Sequence, residues 1–419
     1  MNRAIVSPSR LSGSVTVSPS KSAAHRAILC AALARGKSCI YNVADSEDMR
    51  ATLGAIEAIG VQVQRVGSTL EIDSSGKFFD DAEIDCRESG STVRFLIPIL
   101  AALGVDAVLT GRGRLPERPL GTFLECLPPH GAILTSEGGL PLTIGGGLNP
   151  GVYSLPGNIS SQFITGLLLA LPLLPGDSDI CLTTELESAG YIDLTLSMLA
   201  DFGIIIERTK KGWHIPGWQH YTPGEYTVEG DWSQAAFFLA AGALGGELTI
   251  HGLRKDSAQG DREAAALFER FGAQIAWQGD ALTVKGAPLC GIDINAAQIP
   301  DLVPILAATA ALAQGKTTIT GAARLRIKES DRLTAMTEGL TALGATVTQL
   351  PDGLVIEGVT ALSPGLAKGY NDHRIVMSLA IAALYGTGPV EITDAASVNK
   401  SYPTFFEEYN RLGGKANVL

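Results

Sequence analysis

A chain of 419 residues, 46% hydrophobic and 18% charged, has more to bury than one ordinary core and too little charge for disorder, so two or three folded domains are expected. Its 32 Lys and Arg against 43 Asp and Glu leave a net charge of −11, which argues against a broad nucleic-acid footprint but not against a small anionic ligand. The 6 cysteines include no C-x-x-C pair and the 6 histidines no pair at ligand spacing, so neither a disulfide framework nor a metal site is expected.

In chain order, the first segment, MNRAIVSPSR, has no apolar signal core, and the longest apolar run, Phe163 to Leu174, contains Pro172. That run falls short of the ~20 residues of a spanning helix. A cytoplasmic protein with no membrane partner is expected.

Two interleaved series of elements then run the length of the chain. The first is a helix-like stretch ending in Gly, followed by a short β-type run: AIEAIGVQVQ, CLPPHGAILTS, MLADFGIIIE, LFERFGAQIAW, GLTALGATVTQ and EYNRLGGKANV. Its marker glycines, Gly60, Gly131, Gly203, Gly272, Gly344 and Gly413, are 71, 72, 69, 72 and 69 residues apart. The second series fills the gaps and is more apolar: AILCAALARGKSCIYNV, FLIPILAALGVDAVLTG, ITGLLLALPLLPGDSDICLT, AAFFLAAGALGGELTIHGL, ILAATAALAQGKTTITGA and IVMSLAIAALYGTGPVEIT. Each predicts a helix, a Gly-containing turn and an alternating strand. The unit is therefore about 70 residues with two helices, one apolar all round and buried, one amphipathic and facing outward. Six units can close as two groups of three, which suits wholly buried helices better than an open stack does.

Basic residues gather in the turns entering the apolar helices. PSKSAAHR (Pro19–Arg26) offers Ser20 as an N-cap, with Lys21, Ser22 and Arg26 on the first turns, where free N–H groups and the helix dipole favour an anion. ESGSTVRF (Glu88–Phe95), GRGRLPERPLG (Gly111–Gly121), SSQF (Ser160–Phe163), RLRIKESDRL (Arg324–Leu333), YNDHR (Tyr370–Arg374) and NKSYP (Asn399–Pro403) follow. Singly, each reads as ordinary capping or a helix salt-bridge ladder; recurring at equivalent places, they read as a positive pocket in a negative protein. Gly36-Lys37-Ser38 and Gly315-Lys316-Thr317 mimic the end of a phosphate-binding loop. Ala31 and Ala310 stand where its first Gly belongs, and both leave a helix for a strand, the reverse of that loop. Cys126 has no neighbouring base to make it a nucleophile.

PSKSAAHRAILCAALA, PERPLG, SSQFITGLLLALP, IPDLVPILAATAAL, RIKESDRLTAM, YNDHRIVMSLAIAAL and NKSYPTFFEEY span nearly the whole chain, and in this order they resemble the EPSP synthase family of enolpyruvyl transferases. The resemblance implies an α/β (α+β repeat) fold of two domains. Each would hold three pseudo-symmetric βαβαββ units, an inside-out α/β barrel, with the active site in the interdomain cleft. One domain would comprise residues 1–19 plus 229–419 and the inserted one residues 20–228. The implied reaction moves the enolpyruvyl group of phosphoenolpyruvate to the 5-hydroxyl of shikimate 3-phosphate and releases phosphate. It belongs to the shikimate pathway to chorismate and aromatic amino acids, and implies a monomer without cofactor or metal.

Carried over by motif, Lys21, Ser22, Arg26, Ser160, Ser161, Gln162, Ser188, Asp301 and Lys328 are the implied shikimate 3-phosphate contacts, with Tyr191 packing nearby. Lys21, Gly90, Arg118, Gln162, Arg332, Arg374 and Lys400 are the implied phosphoenolpyruvate contacts. Asp301, Glu329 and Lys21 are the implied catalytic groups, two carboxylates in unlike environments serving as acid and base. Three positions depart from the family pattern. Glu88 stands where a neutral amide is usual, Phe95 where a Pro often follows the helix Arg, and Arg324 where an Asn commonly meets the shikimate phosphate. Gly90 is not enlarged, so inhibition by glyphosate is expected. The rival reading is the UDP-N-acetylglucosamine enolpyruvyl transferase of the same repeat fold. It is disfavoured because the loop Arg112–Arg118 has no Cys and Ser22, not Asn, follows Lys21. A non-catalytic binder is disfavoured by the two carboxylates, and a repeat scaffold by the acidic balance.

Overall fold

The computed structural model describes residues 2–419. Twelve helices alternate in character along the described chain: α1 (Lys21–Leu33), α2 (Glu47–Ala58), α3 (Gly90–Leu103), α4 (Gly121–Cys126), α5 (Ser161–Ala170), α6 (Ala189–Asp201), α7 (Trp232–Ala243), α8 (Glu263–Phe271), α9 (Val303–Ala310), α10 (Arg332–Ala342), α11 (His373–Ala383) and α12 (Phe405–Arg411). The odd-numbered ones are the Ala- and Leu-rich series, and every residue of α7, α9 and α11 is buried. Burying a Leu or Ile side chain is worth about 1.5–3 kcal/mol, so a helix apolar on all sides has no face to leave in water. The even-numbered helices bury one stripe; in α8 it is Ala264, Leu267, Phe268 and Phe271, the spacing of one helical face. Each even-numbered helix gives way to its marker glycine, and all six adopt left-handed backbone, φ +94°, +102°, +79°, +119°, +85° and +102° in chain order. Only Gly turns there without a Cβ clash, which is why the repeat was visible in the sequence.

Among the described residues, 24 strands form six separate four-stranded sheets, none closed into a barrel. Strand Asp293–Asn295 leads through α9 to the parallel strand Lys316–Thr320; α10 then leads to an antiparallel hairpin, Thr346–Leu350 and Gly353–Glu357, whose second strand pairs with Lys316–Thr320. This is one βαβαββ unit. In two units the first strand comes from far along the chain. Glu225–Thr227 pairs parallel with Lys37–Tyr41, and Ser12–Thr16 with Glu247–His251. The chain thereby folds as two compact units, Met1–Pro19 with Glu229–Leu419, and Ser20–Val228. In the first, one continuous apolar core surrounds α7, α9 and α11. No helix among the described residues is long and apolar enough to cross a membrane.

Candidate active site

In the unit Ser20–Val228, the N-terminal turns of α1, α3 and α5 are tied together by side chains. All three helices are capped by serine: Ser20 accepts from Ala23 N at 3.3 Å, Ser89 from Thr92 N at 3.2 Å and Ser160 from Gln162 N at 3.3 Å. A neutral cap satisfies one free N–H and leaves the positive dipole end uncompensated. Lys21 opens α1, and its Nζ donates to Asp48 Oδ2 at 2.6 Å on α2. Arg26, one turn on, points inward and is only 2% exposed. It donates from Nε to Thr195 Oγ1 at 2.8 Å, from Nη1 to the Ser22 carbonyl at 2.7 Å, and from Nη2 to Thr165 Oγ1 at 3.2 Å and the Tyr191 carbonyl at 3.1 Å. These partners are all neutral. Burial brings its pKa down to about 10, so it stays charged at neutral pH and lends its positive field to the start of α1.

The other predicted groups of this unit gather through α3 and α5. Gln162 Nε2 donates to Ser91 Oγ at 2.9 Å, while its Oε1 accepts from Arg94 Nη1 at 2.7 Å. Arg94 also donates from Nη2 to the Pro119 carbonyl at 3.1 Å, which fixes the chain beside Arg118. The Arg118 guanidinium rests directly on Gly90, where an added Cβ would stand 2.4 Å from Nη1. Ser161 is the first residue of α5, and Ser188 precedes α6 with left-handed backbone at φ +58°. Phe95 fills the core beneath Arg26, its ring 5.2 Å from the guanidinium carbon. The Glu88 carboxylate lies over Gly113, in the loop that leads to Arg118.

In the other unit the organising group is Arg332, 1% exposed at the start of α10. Its Nε donates to Asp372 Oδ2 at 2.8 Å, its Nη1 to Asp301 Oδ1 at 2.9 Å, and its Nη2 to Glu329 Oε2 at 2.8 Å and Asp372 Oδ1 at 3.3 Å. Burial alone would lower its pKa, but the Asp372, Glu329 and Asp301 charges outweigh burial and raise it. For Asp372, burial pushes the pKa up and the Arg332 charge more than reverses this, so the carboxylate is held below its usual range. Asp301 also meets Lys328 Nζ at 3.5 Å and accepts from Arg374 Nη2 at 3.3 Å. Arg374 donates further to the Asp301 carbonyl at 3.1 Å and to Ser233 Oγ at 2.9 Å, which joins the N-terminal turns of α7, α9 and α11. Lys400 donates to the Asn371 carbonyl at 2.6 Å. Tyr370 and Asn371 are consecutive left-handed residues, at φ +54° and +51°, and such strain persists where surrounding contacts demand it. Arg324 turns to the Ala297 carbonyl at 2.6 Å.

Asp301, Lys328, Glu329, Arg332 and Arg374 thus form one ionic cluster, with Lys400 reaching the turn that leads into Asp372. Sequence reasoning did not single out Asp372, Arg94, Asp48 or Ser233. Asp372 and Arg94 lay inside quoted motifs, and their mid-motif charge at a buried helix was the signal available. Among the described residues no cluster of His, Cys, Asp and Glu has the arrangement of a metal site.

Residues 5–409 match the family model described as EPSP synthase (3-phosphoshikimate 1-carboxyvinyltransferase). A 3-phosphoshikimate 1-carboxyvinyltransferase of Clostridium novyi is 44% identical over 97% of this chain and 96% of its own. The enzyme of that name from Clostridium perfringens is 45% identical over 99% of both. The solved EPSP synthase of Acinetobacter baumannii superposes with a TM-score of 0.83 at 29% identity, over 100% of both chains. The chain belongs to the EPSP synthase family.

Proposed function

We infer that this chain is a 3-phosphoshikimate 1-carboxyvinyltransferase, joining phosphoenolpyruvate to the 5-hydroxyl of shikimate 3-phosphate and releasing phosphate. The observation that carries the mechanism is the pair of carboxylates, Asp301 and Glu329, held on the single buried guanidinium of Arg332. Two acids fixed on one cation keep their geometry while their other neighbours differ, which suits them to opposite proton tasks. In this reading Asp301 takes the proton of the 5-hydroxyl as its oxygen attacks C2 of phosphoenolpyruvate. Glu329 delivers a proton to C3, completing the tetrahedral adduct. Glu329 then removes a proton from C3, the double bond re-forms, and the C2–O bond to phosphate breaks; the leaving phosphate carries away the proton held by Asp301. Lys21 assists at the bridging oxygen.

The binding roles follow charge and shape. Phosphoenolpyruvate carries a carboxylate and a phosphate, which Arg118, Arg374, Lys400 and Lys21 grip, with Gly90 and Gln162 shaping the pocket and Arg332 adding its charge. Ser22, Ser160, Ser161, Gln162, Ser188 and Lys328 hold shikimate 3-phosphate, with Arg26 acting through its buried charge. The enzyme works as a cytoplasmic monomer without metal or organic cofactor. Phosphate release with phosphoenolpyruvate is the test, run in parallel with shikimate 3-phosphate and with UDP-N-acetylglucosamine as acceptor. Release with shikimate 3-phosphate alone is expected. Release with the sugar nucleotide, or with neither, refutes the assignment.

A further inference from the structure

Four buried polar side chains that none of these roles uses form one hydrogen-bonded line through the unit Ser20–Val228. His25 Nδ1 lies 2.7 Å from Thr52 Oγ1, and Thr52 Oγ1 lies 2.7 Å from Thr92 Oγ1. Thr92 Oγ1 donates to Ser89 Oγ at 2.7 Å. His25, Thr52 and Thr92 are wholly buried and Ser89 is 1% exposed. The line starts on α1, one turn beyond Lys21, crosses α2 and ends at the cap of α3, where Gly90 meets the Arg118 guanidinium. Its middle member sits one turn after Asp48, the partner of Lys21.

The line has a direction. Burial first, then the Lys21 and Arg26 charges, hold the His25 pKa well below the ordinary histidine value, so its ring carries one proton at neutral pH. Its Nε2 has no hydrogen-bond partner, and the ring packs edge-on to Phe95. A buried N–H without an acceptor is rarer and costlier than a buried lone pair without a donor. The proton therefore sits on Nδ1 and is donated to Thr52. Thr52 has one hydroxyl proton to give, and Thr92 at 2.7 Å is a better acceptor than the Asp48 carbonyl at 3.4 Å. Thr92 passes its own proton to Ser89, which also accepts the Thr92 N–H. Reversing the line would put the ring proton on Nε2, where no acceptor meets it.

We propose that His25 is a positioning residue for phosphoenolpyruvate: through Thr52 and Thr92 it fixes the Ser89 cap, and so the Gly90 backbone on which Arg118 rests. This builds on the reading of the chain as a phosphoenolpyruvate-dependent transferase. The effect falls on one substrate because the line ends at the Gly90–Arg118 contact.

Three variants and one spectrum test it. His25→Leu removes the donor, His25→Asn keeps an N–H close to the Nδ1 position, and Thr52→Val removes the second link at constant shape. His25→Leu and Thr52→Val are expected to raise KM for phosphoenolpyruvate about tenfold, the effect of one neutral hydrogen bond, with KM for shikimate 3-phosphate within about twofold. His25→Asn is expected to stay within about threefold of the natural chain for both substrates. Equal KM values for His25→Leu and His25→Asn, or equal rises for both substrates, overturn the proposal; if His25→Leu does not fold, Thr52→Val decides by the same criterion. Nitrogen-15 NMR of the histidine rings in the unaltered chain reads the tautomer whether or not the protein turns over. Nδ1–H is expected, and Nε2–H overturns the line. A chain that releases no phosphate refutes the activity reading, and the spectrum still decides this one.

Discussion

Replacing Gly90 by Ala tests the arrangement around Arg118 at a cost the structure lets us work out. Gly90 opens α3 with helical backbone, so Ala is acceptable there and favours the helix. Its methyl, however, would stand 2.4, 2.7 and 2.8 Å from Nη1, Cζ and Nη2 of Arg118. Ordinary contact needs about 3.4 Å or more, so the guanidinium must retreat by about 1 Å. At an effective dielectric of about 20, widening a guanidinium–phosphate separation from about 4 to about 5 Å loses about 0.8 kcal/mol. Losing one charge-assisted hydrogen bond as well adds about 1.5 kcal/mol or more. KM for phosphoenolpyruvate should therefore rise between about fourfold and about fiftyfold. KM for shikimate 3-phosphate should be unchanged, and the melting temperature should move by less than about 2 °C, because the displaced group is the end of a flexible side chain. Glyphosate, expected to compete with phosphoenolpyruvate in the natural chain, should weaken in parallel. Steady-state phosphate release with each substrate varied measures all of this. A KM for phosphoenolpyruvate within twofold of the natural value would refute the placement of Arg118 at that substrate.

Asp372→Asn keeps a cap for Arg374 N–H but leaves Arg332 short of its buried counter-charge. Breaking a buried pair costs 3–5 kcal/mol, and since Asp301 and Glu329 remain, about 3 kcal/mol is expected; urea unfolding that shows less than about 1 kcal/mol would contradict it. Glu329→Gln should lower turnover by about 10²–10⁴-fold in a single-turnover experiment, with phosphoenolpyruvate bound more tightly and KM for shikimate 3-phosphate little changed. Intact turnover would remove Glu329 from the proton transfers. His25 supplies a pH prediction. Its pKa is lowered in the folded chain, so below the unfolded value of about 6.5 the unfolded state binds a proton that the folded state refuses. Stability should fall with falling pH by up to about 1.4 kcal/mol per unit from that source, and the difference between the natural chain and His25→Asn across pH 7 to 5 should show it. A pH-independent difference would mean that His25 is not held neutral.

The fold was legible because its constraints are local. A glycine that must turn left-handed after each even-numbered helix cannot be hidden, and an Ala- and Leu-rich helix without a polar face announces its burial. The serine cap before Lys21 was equally local, whereas those before Gly90 and Ser161 emerged only in the structure. What the sequence withheld was the direction of the charged groups. Arg26 and Arg332 look alike in sequence as basic residues near a helix start, yet both turn inward. One is held by Thr195 and Thr165, 169 and 139 residues away, and the other by Asp372, 40 residues away. No spacing rule links such partners, because they meet only once the buried helices have packed. The salt-bridge reading of RLRIKESDRL was half right for the same reason. Arg326 does pair with Asp331 at 3.0 Å, while Arg332 reaches beyond the motif to Asp301 and Asp372.

The contrast between the two sets of helix ends explains how a chain of net charge −11 can hold anionic ligands. In Ser20–Val228 the caps of α1, α3 and α5 are neutral serines, and Arg26 is buried among neutral partners, so dipole ends and charge remain uncancelled. Groups of that kind attract phosphate without having to release a counter-ion of their own. In the other unit α7 and α11 are capped by Asp231 and Asp372, and Asp301 stands just before α9. There the carboxylates cancel the dipoles and lock the guanidinium groups, so this end offers fixed acids and bases rather than bare attraction. An anion approaching Arg332 or Arg374 must compete with Asp301 and Glu329 for the same N–H groups, and each contact it wins loosens a carboxylate for proton transfer. Binding charge and starting chemistry are in that sense the same event, and neutralising either carboxylate should tighten phosphoenolpyruvate while slowing its reaction.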